Sequence, residues 1–180
     1  MPLKSPLKIP SLQLQLQKLA FIALGSNLGD SKQCVLRAMD RLQELSDFPL
    51  ARSSLWQSTP VDCPPGSPLF INAVVGLLPG AEATPEHLLD QLQSLERESG
   101  RRPKTVLNEP RPLDLDLISF RQEMRDSERL TLPHPRAHLR RFVLQPLSEI
   151  AADLVLPGQG LAVRQLLATL DSSERVLRLS

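Results

Sequence analysis

Residues 110–120 read Pro-Arg-Pro-Leu-Asp-Leu-Asp-Leu-Ile-Ser-Phe, and the strict Leu/Asp alternation in the middle has the two-residue period of a half-buried β-strand. Side chains at i and i+2 leave a strand on the same face, roughly 6.5–7 Å apart along it. Asp114 and Asp116 therefore point together to one side, while Leu113, Leu115 and Leu117 point into a core. Two carboxylates on one rigid face suit a hard divalent cation. An edge strand with a solvated acidic face satisfies the same pattern. The choice between them rests on the neighbouring residues.

The chain has 180 residues, a length that suits one domain with a real core. A formal net charge of +1 argues against a general nucleic-acid binder, which carries a clear basic excess, so any basic patch is local. Tyr is absent and the core must be mostly Leu, Val, Ile and Ala, while 17 prolines imply many stiff connections. Cys34 and Cys63 match no metal or redox spacing, Cys34 reads as a small buried residue, and a disulfide framework is not expected. No apolar run approaches a membrane span and no signal-peptide pattern is present, so a cytoplasmic protein without membrane partners is expected.

Residues 1–17 are Pro-rich and lack acids, and they read as a flexible tail before a single domain over 18–180. The apolar run 19–24, ended by Gly25-Ser26-Asn27, is a central strand. Gly29-Asp30-Ser31 caps a helix reaching about Leu45. Residues 50–57 predict a second strand and 70–78 a third, separated by a Pro- and Gly-rich loop. Thr84-Pro85-Glu86 is a helix start, with Leu88, Leu89, Leu92 and Leu95 as its buried stripe and Gly100 as its end. With the Asp-bearing strand the order is βαββαβ, an α+β ferredoxin-like sandwich with helices on one face of a mostly antiparallel sheet. Helices over 139–151 and 161–170 and a short edge strand over 176–179 follow as C-terminal additions.

Cations crowd the acidic strand: Arg101, Arg102, Lys104 and Arg111 before it, and Arg129, His134, Arg136, Arg140 and Arg141 after it. Arginine forks bind phosphate oxygens, and Mg²⁺ bridges phosphates to one or two carboxylates, so the pattern suggests a polyphosphate ligand. Gln93 and Glu96 share a face of the second helix, where a solvated surface is the simple reading. Gly25-Ser26-Asn27-Leu28-Gly29 lacks the Lys-Ser/Thr ending of a phosphate loop and reads as a tight turn.

Together, Phe21 through Asp30, Phe70-Ile71-Asn72-Ala73-Val74, Pro110 through Asp116, and Leu132-Pro133-His134-Pro135 with Arg140-Arg141-Phe142 resemble the 6-hydroxymethyl-7,8-dihydropterin pyrophosphokinase family of folate biosynthesis. The resemblance covers about residues 19–157. It implies transfer of pyrophosphate from ATP to the pterin's hydroxymethyl group, with release of AMP. Asp114 and Asp116 match the family's metal-binding aspartates, which hold two Mg²⁺ ions, and Arg101 and Arg111 match loop arginines on the phosphates. Gln93, Glu96, His134 and Arg140 match nucleotide-site positions, and Arg129 and Thr131 match positions near the adenosine. Asn72 matches the side chain reading the pterin's polar edge, Phe70 and Phe142 the aromatic pair around the ring, and Thr59 the loop on its remaining edge. A flat polar heterocycle needs such stacking and rim hydrogen bonds.

The chain departs from the family at Asn108, where a Trp is frequent, at Pro103-Lys104, where a second arginine is common, and at Asp62, where a small or apolar residue is usual. The 101–109 loop is expected to move without ligand and close on binding. A monomer acting on ATP and the pterin, with no nucleic-acid partner, is expected. The alternative is a non-catalytic ferredoxin-like ligand-binding domain.

Overall fold

The computed structural model describes residues 15–46, 48–103 and 106–180. Its elements are β1 (Ala20–Ser26), α1 (Ser31–Gln43), β2 (Ala51–Arg52), β3 (Trp56–Ser58), β4 (Phe70–Leu77), α2 (Pro85–Glu98), β5 (Asp114–Phe120), β6 (Arg125–Asp126), β7 (Thr131–Leu132), α3 (Arg141–Ala151), α4 (Val163–Thr169) and β8 (Val176–Arg178). A 3-10 turn, Ala137–Leu139, precedes α3. The main sheet runs β5-β1-β4-β3-β8, with β2 also on β4, and its paired strands are antiparallel. The fold is α+β.

Both predicted helix starts form as their side chains dictate. Asp30 accepts from the Gln33 amide at 3.2 Å, and Thr84 accepts from the His87 amide at 3.2 Å with Pro85 in the first turn. The stretch 50–57 is two short strands instead of one. Between them the Ser53 hydroxyl accepts the Val74 amide at 2.9 Å while the Ser53 amide donates to the Val74 carbonyl at 3.0 Å, a side-chain bond that interrupts the ladder.

Two apolar clusters lie on opposite faces of the sheet. On one, Ile22, Leu24, Ala73, Val75, Leu115 and Leu117 meet Val35, Met39 and Leu42 of α1 and Leu88, Leu92 and Leu95 of α2. On the other, Phe21, Val74 and Ile118 meet Val143, Leu144 and Leu147 of α3 and Val163 of α4. The helices thus cover both faces, and the C-terminal additions supply the second layer. A fully buried leucine such as Leu92 contributes about 2 kcal/mol by leaving water. Along β5 the register shifts: Ile22 faces Leu117 and Phe21 faces Ser119, so Ile118 has no partner on β1. Residues 1–14 of the expected tail lie outside the described residues; Leu16 packs into the second cluster.

Among the described residues no helix is long and apolar enough to cross a membrane. Cys34 and Cys63 are free thiols, and Cys34, partly buried, donates to the Pro112 carbonyl at 3.0 Å.

Candidate active site

α3 covers only part of the second face. Beyond its first turn, the end of β1 and the starts of β4 and β5 open into two adjoining cavities. The first is a slot lined by Gly25, Ser58, Thr59, Phe70, Asn72 and Phe142, among others. The second is lined by Leu89, Gln93, Glu96, Arg101, Leu115 and His134. Asn108, Arg111, Asp114, Asp116, Arg136 and Arg140 line both, so the two aspartates stand where the cavities meet.

The strand period explains that placement. Leu113, Leu115 and Leu117 are buried in the first core, and the intervening aspartates emerge on the other face. Asp114 is clamped: its Oδ1 lies 2.5 Å from Arg101 Nη1 and its Oδ2 lies 2.8 Å from Arg111 Nη2. Asp116 has looser partners, His134 Nε2 at 3.9 Å and Arg140 Nη1 at 3.8 Å. Burial among protein atoms and the neighbouring Asp114 charge raise the Asp116 pKa, against the pull of His134, Arg140 and Arg111. Its negative charge is under-compensated by the protein.

Two parallel chains of contact lead from the carboxylates to the slot. The Arg111 guanidinium that holds Asp114 lies 5.4 Å from the centre of the Phe70 ring. The Arg140 guanidinium near Asp116 lies 5.4 Å from the centre of the Phe142 ring. Burial lowers the Arg140 pKa, as does the Arg136 charge, while Asp116, Asp114 and Glu174 oppose the shift.

Glu96 is buried, which excludes the solvated-face reading for it, whereas Gln93 is exposed on the rim of the second cavity. The Glu96 carboxylate accepts the Leu115 amide at 2.7 Å and pairs with Arg101. Burial pushes its pKa up to about 7, and the Leu115 amide and the Arg101 charge limit the rise. For Arg101, burial disfavours the charged form, but Asp114 and Glu96 overcome it and raise the pKa. His134 Nδ1 accepts the Arg136 amide at 3.1 Å, which leaves Nε2 facing Asp116. Burial lowers the His134 pKa, with Arg140 and Arg136 adding to the effect and Asp116 opposing it.

One wall of the slot is polar. Asn72, buried in β4, donates to Ser58 Oγ at 2.8 Å and more weakly to the Trp56 carbonyl at 3.4 Å, which fixes its amide. A Cβ on residue 25 would sit at ordinary contact distance, 3.6 Å from Asn72 Oδ1 and 3.8 Å from the Phe70 ring, and would fill part of the slot that glycine leaves open. Asn108 and Asp62 both have positive φ, 55° and 52°, and Asn108 Nδ2 donates to the Asp62 carbonyl at 2.7 Å. That bond ties together the two loops in which the chain departs from the family pattern. Residues 104 and 105 lie outside the described residues, so the Lys104 departure and part of the expected closure of the 101–109 loop do as well.

Of the residues selected from sequence, Thr59, Phe70, Asn72, Gln93, Glu96, Arg101, Arg111, Asp114, Asp116, His134, Arg140 and Phe142 line these two cavities. Arg129 and Thr131 do not: both are exposed, and Arg129 pairs with Asp90, next to the lining residue Leu89. Sequence reasoning missed Ser58, whose signal was its pairing position opposite Phe70 on β4. It also missed Asn27, which accepts the Arg111 amide at 2.9 Å and donates to the Pro68 carbonyl at 3.3 Å, joining both site loops to the end of β1.

An α+β domain with paired carboxylates between an arginine-lined cavity and an aromatic-walled slot has the layout of a metal-assisted phosphoryl-group transferase. The profile of the 7,8-dihydro-6-hydroxymethylpterin-pyrophosphokinase (HPPK) family matches residues 21–152, and the chain belongs to that family. The 2-amino-4-hydroxy-6-hydroxymethyldihydropteridine pyrophosphokinase of Haemophilus influenzae is 42% identical over 140 residues, 77% of this chain and 85% of that one. Its counterpart in Pseudomonas aeruginosa is 39% identical over 138 residues, 76% of this chain and 83% of that one. Among solved structures, an HPPK-DHPS triple mutant of Plasmodium falciparum with pteroate aligns at a TM-score of 0.64 and 12% identity, covering 83% of this chain and 42% of that one. That likeness is one of fold, and this chain spans less than half of the larger protein.

Proposed function

We propose that this chain transfers pyrophosphate from ATP to the hydroxymethyl group of 6-hydroxymethyl-7,8-dihydropterin, releasing AMP, in folate biosynthesis. The observation that carries the reading is the shared wall: Asp114 and Asp116 stand where an arginine-lined cavity meets a slot with Asn72 and two Phe rings. The family match and the similarly named relatives support it. The strand order β5-β1-β4-β3, with α1 and α2 on one face, supports the ferredoxin-like βαββαβ description.

In this reading the pterin lies in the slot between Phe70 and Phe142, with Asn72 and the Thr59 loop on its rim. ATP occupies the second cavity along Gln93. Arg101, Arg111, His134 and Arg140 exchange their carboxylate contacts for phosphate oxygens. The donor chemistry fits Mg²⁺. Among the described residues no group of three or more His, Cys, Asp or Glu forms a protein-only cage, and two carboxylates plus phosphates are the usual surroundings of Mg²⁺ with nucleotides. Asp114 and Asp116 would hold the metal, two ions in our reading, which when bound neutralises phosphate charge and acidifies the attacking hydroxyl.

The protein's own part is alignment and charge. The pterin oxygen forms a bond to the β-phosphorus as the bond from that phosphorus to the AMP oxygen breaks, and the hydroxyl proton is lost. No nucleophilic side chain is required. Glu96, at the wall of the second cavity, accepts the Leu115 amide and pairs with Arg101, which holds that guanidinium over β5 beside the nucleotide. A coupled assay of AMP release with ATP, Mg²⁺ and the pterin alcohol tests the reading. Release that needs all three is expected; its absence overturns the proposal.

A further inference from the structure

The residues after 152 lie beyond the family match, yet they reach the slot from outside. β8 extends the sheet along β3, with Ser58 opposite Val176 and Trp56 opposite Arg178. Where the pairing runs out, the Thr59 amide donates to the Arg175 carbonyl at 3.1 Å, and the Arg175 amide donates to Thr59 Oγ1 at 3.3 Å. The preceding residue turns to the opposite wall: Glu174 Oε2 accepts the Phe142 amide at 3.1 Å. Two consecutive residues therefore hold the loop wall and the helix wall of one slot.

The contact with Phe142 meets a specific need. The first amides of a helix have no partner within it and are normally satisfied by a side chain at the cap. Here Arg140 stands at the cap of α3 and makes no side-chain cap bond. Glu174, 32 residues away in sequence, supplies the missing acceptor, and its negative charge suits a helix N-terminus. The same first turn carries the Phe142 ring and adjoins Arg140, which lies over that ring and reaches toward Asp116. The Glu174 amide itself donates to Ser172 Oγ at 3.2 Å, which braces the segment. Arg141 also donates to the Leu170 carbonyl at 3.0 Å, so the start of α3 is tied to this segment at two points.

We propose that residues 172–176 are a positioning element of the pterin slot, in which Glu174 fixes the first turn of α3 so that the Phe142 ring meets the pterin in register. The inference rests on the slot being the pterin site. Glu174 does not line either cavity and acts through Phe142, so its loss should weaken pterin binding without removing a reacting group.

Steady-state kinetics on the full chain test it. Glu174→Ala should raise the KM for the pterin about tenfold while the KM for ATP and kcat stay within about threefold of wild type. Glu174→Gln, which keeps an oxygen for the Phe142 amide, should return the pterin KM to within about threefold of wild type. A pterin KM unchanged in Glu174→Ala, a matching rise in the ATP KM, or a Gln variant no better than Ala would overturn the proposal. If Glu174→Ala does not fold, hydrogen exchange on wild type decides. Pterin added with a non-hydrolysable ATP analogue should slow exchange of the Phe142 and Arg175 amides, and unchanged rates there overturn the inference. A wild-type chain that releases no AMP would instead overturn the functional reading itself.

Discussion

Asp114 and Asp116 are two residues apart on one strand face, yet the protein treats them differently. Asp114 is 18% exposed and sits between two guanidinium groups within 2.8 Å. Asp116 is 40% exposed, its nearest cations are 3.8 and 3.9 Å away, and its pKa is raised by burial and by Asp114. One carboxylate is part of the scaffold as well as the site. The other keeps its nearest cations about an ångström further away.

The sharpest test of that contrast is Asp116→Ala. Turnover should fall by about a thousandfold or more, the scale on which loss of preorganised charge stabilisation is felt. The melting temperature should not fall. A raised carboxyl pKa means that the fold disfavours the ionised form, so the substitution takes no stabilising charge from the folded state. AMP-release kinetics beside a thermal melt check both halves, and a clear loss of melting temperature would erase the distinction from Asp114.

Asp114→Ala should break both function and fold. It leaves Arg111 without Asp114 and Arg101 with Glu96 alone, both under a fifth exposed, and removing one partner of such a pair costs about 3 kcal/mol. Urea unfolding without nucleotide measures it; a loss no larger than that of Asp116→Ala would sink the scaffold role.

Glu96 sharpens the comparison from below, since it anchors the Arg101 side of the clamp. Its folded pKa of about 7 lies above the ordinary 4.5, so its stabilising contribution is complete below about 4.5 and is lost as pH rises through about 7. Between pH 5 and 8 the metal-free, nucleotide-free wild type should lose about 2 kcal/mol that Glu96→Gln does not lose. Chemical denaturation across pH checks it: profiles of wild type and Glu96→Gln that run parallel would mean that Glu96 stays ionised throughout and would overturn the prediction.

Local pattern carried much of this architecture. The alternation around Asp114, the Thr84-Pro85-Glu86 start and the apolar run of β1 each encode their element within a few residues, and all three form. What escaped the sequence depends on bonds across long separations. Ser53 interrupts the strand expected over 50–57 because its hydroxyl meets Val74, 21 residues on. Asn27 reads as a turn residue until Arg111, 84 residues on, is brought to it. Glu174 has no local signature at all. Glu96 reads as surface by helical spacing, because spacing does not reveal that β5 needs an acceptor for the Leu115 amide. Arg129 and Thr131 were placed by family correspondence, and their exposed positions leave them outside the cavity walls.

The unpaired Ile118 on β5 has one more consequence. Up to Leu117 the even-numbered positions face the cavities, but Ile118 is roofed by the α3 cluster, and past the register shift Phe120 turns into the opposite core. The strand therefore has room for two acidic positions and no third. A divalent ion held by these two carboxylates would take its remaining oxygens from water or from bound phosphates.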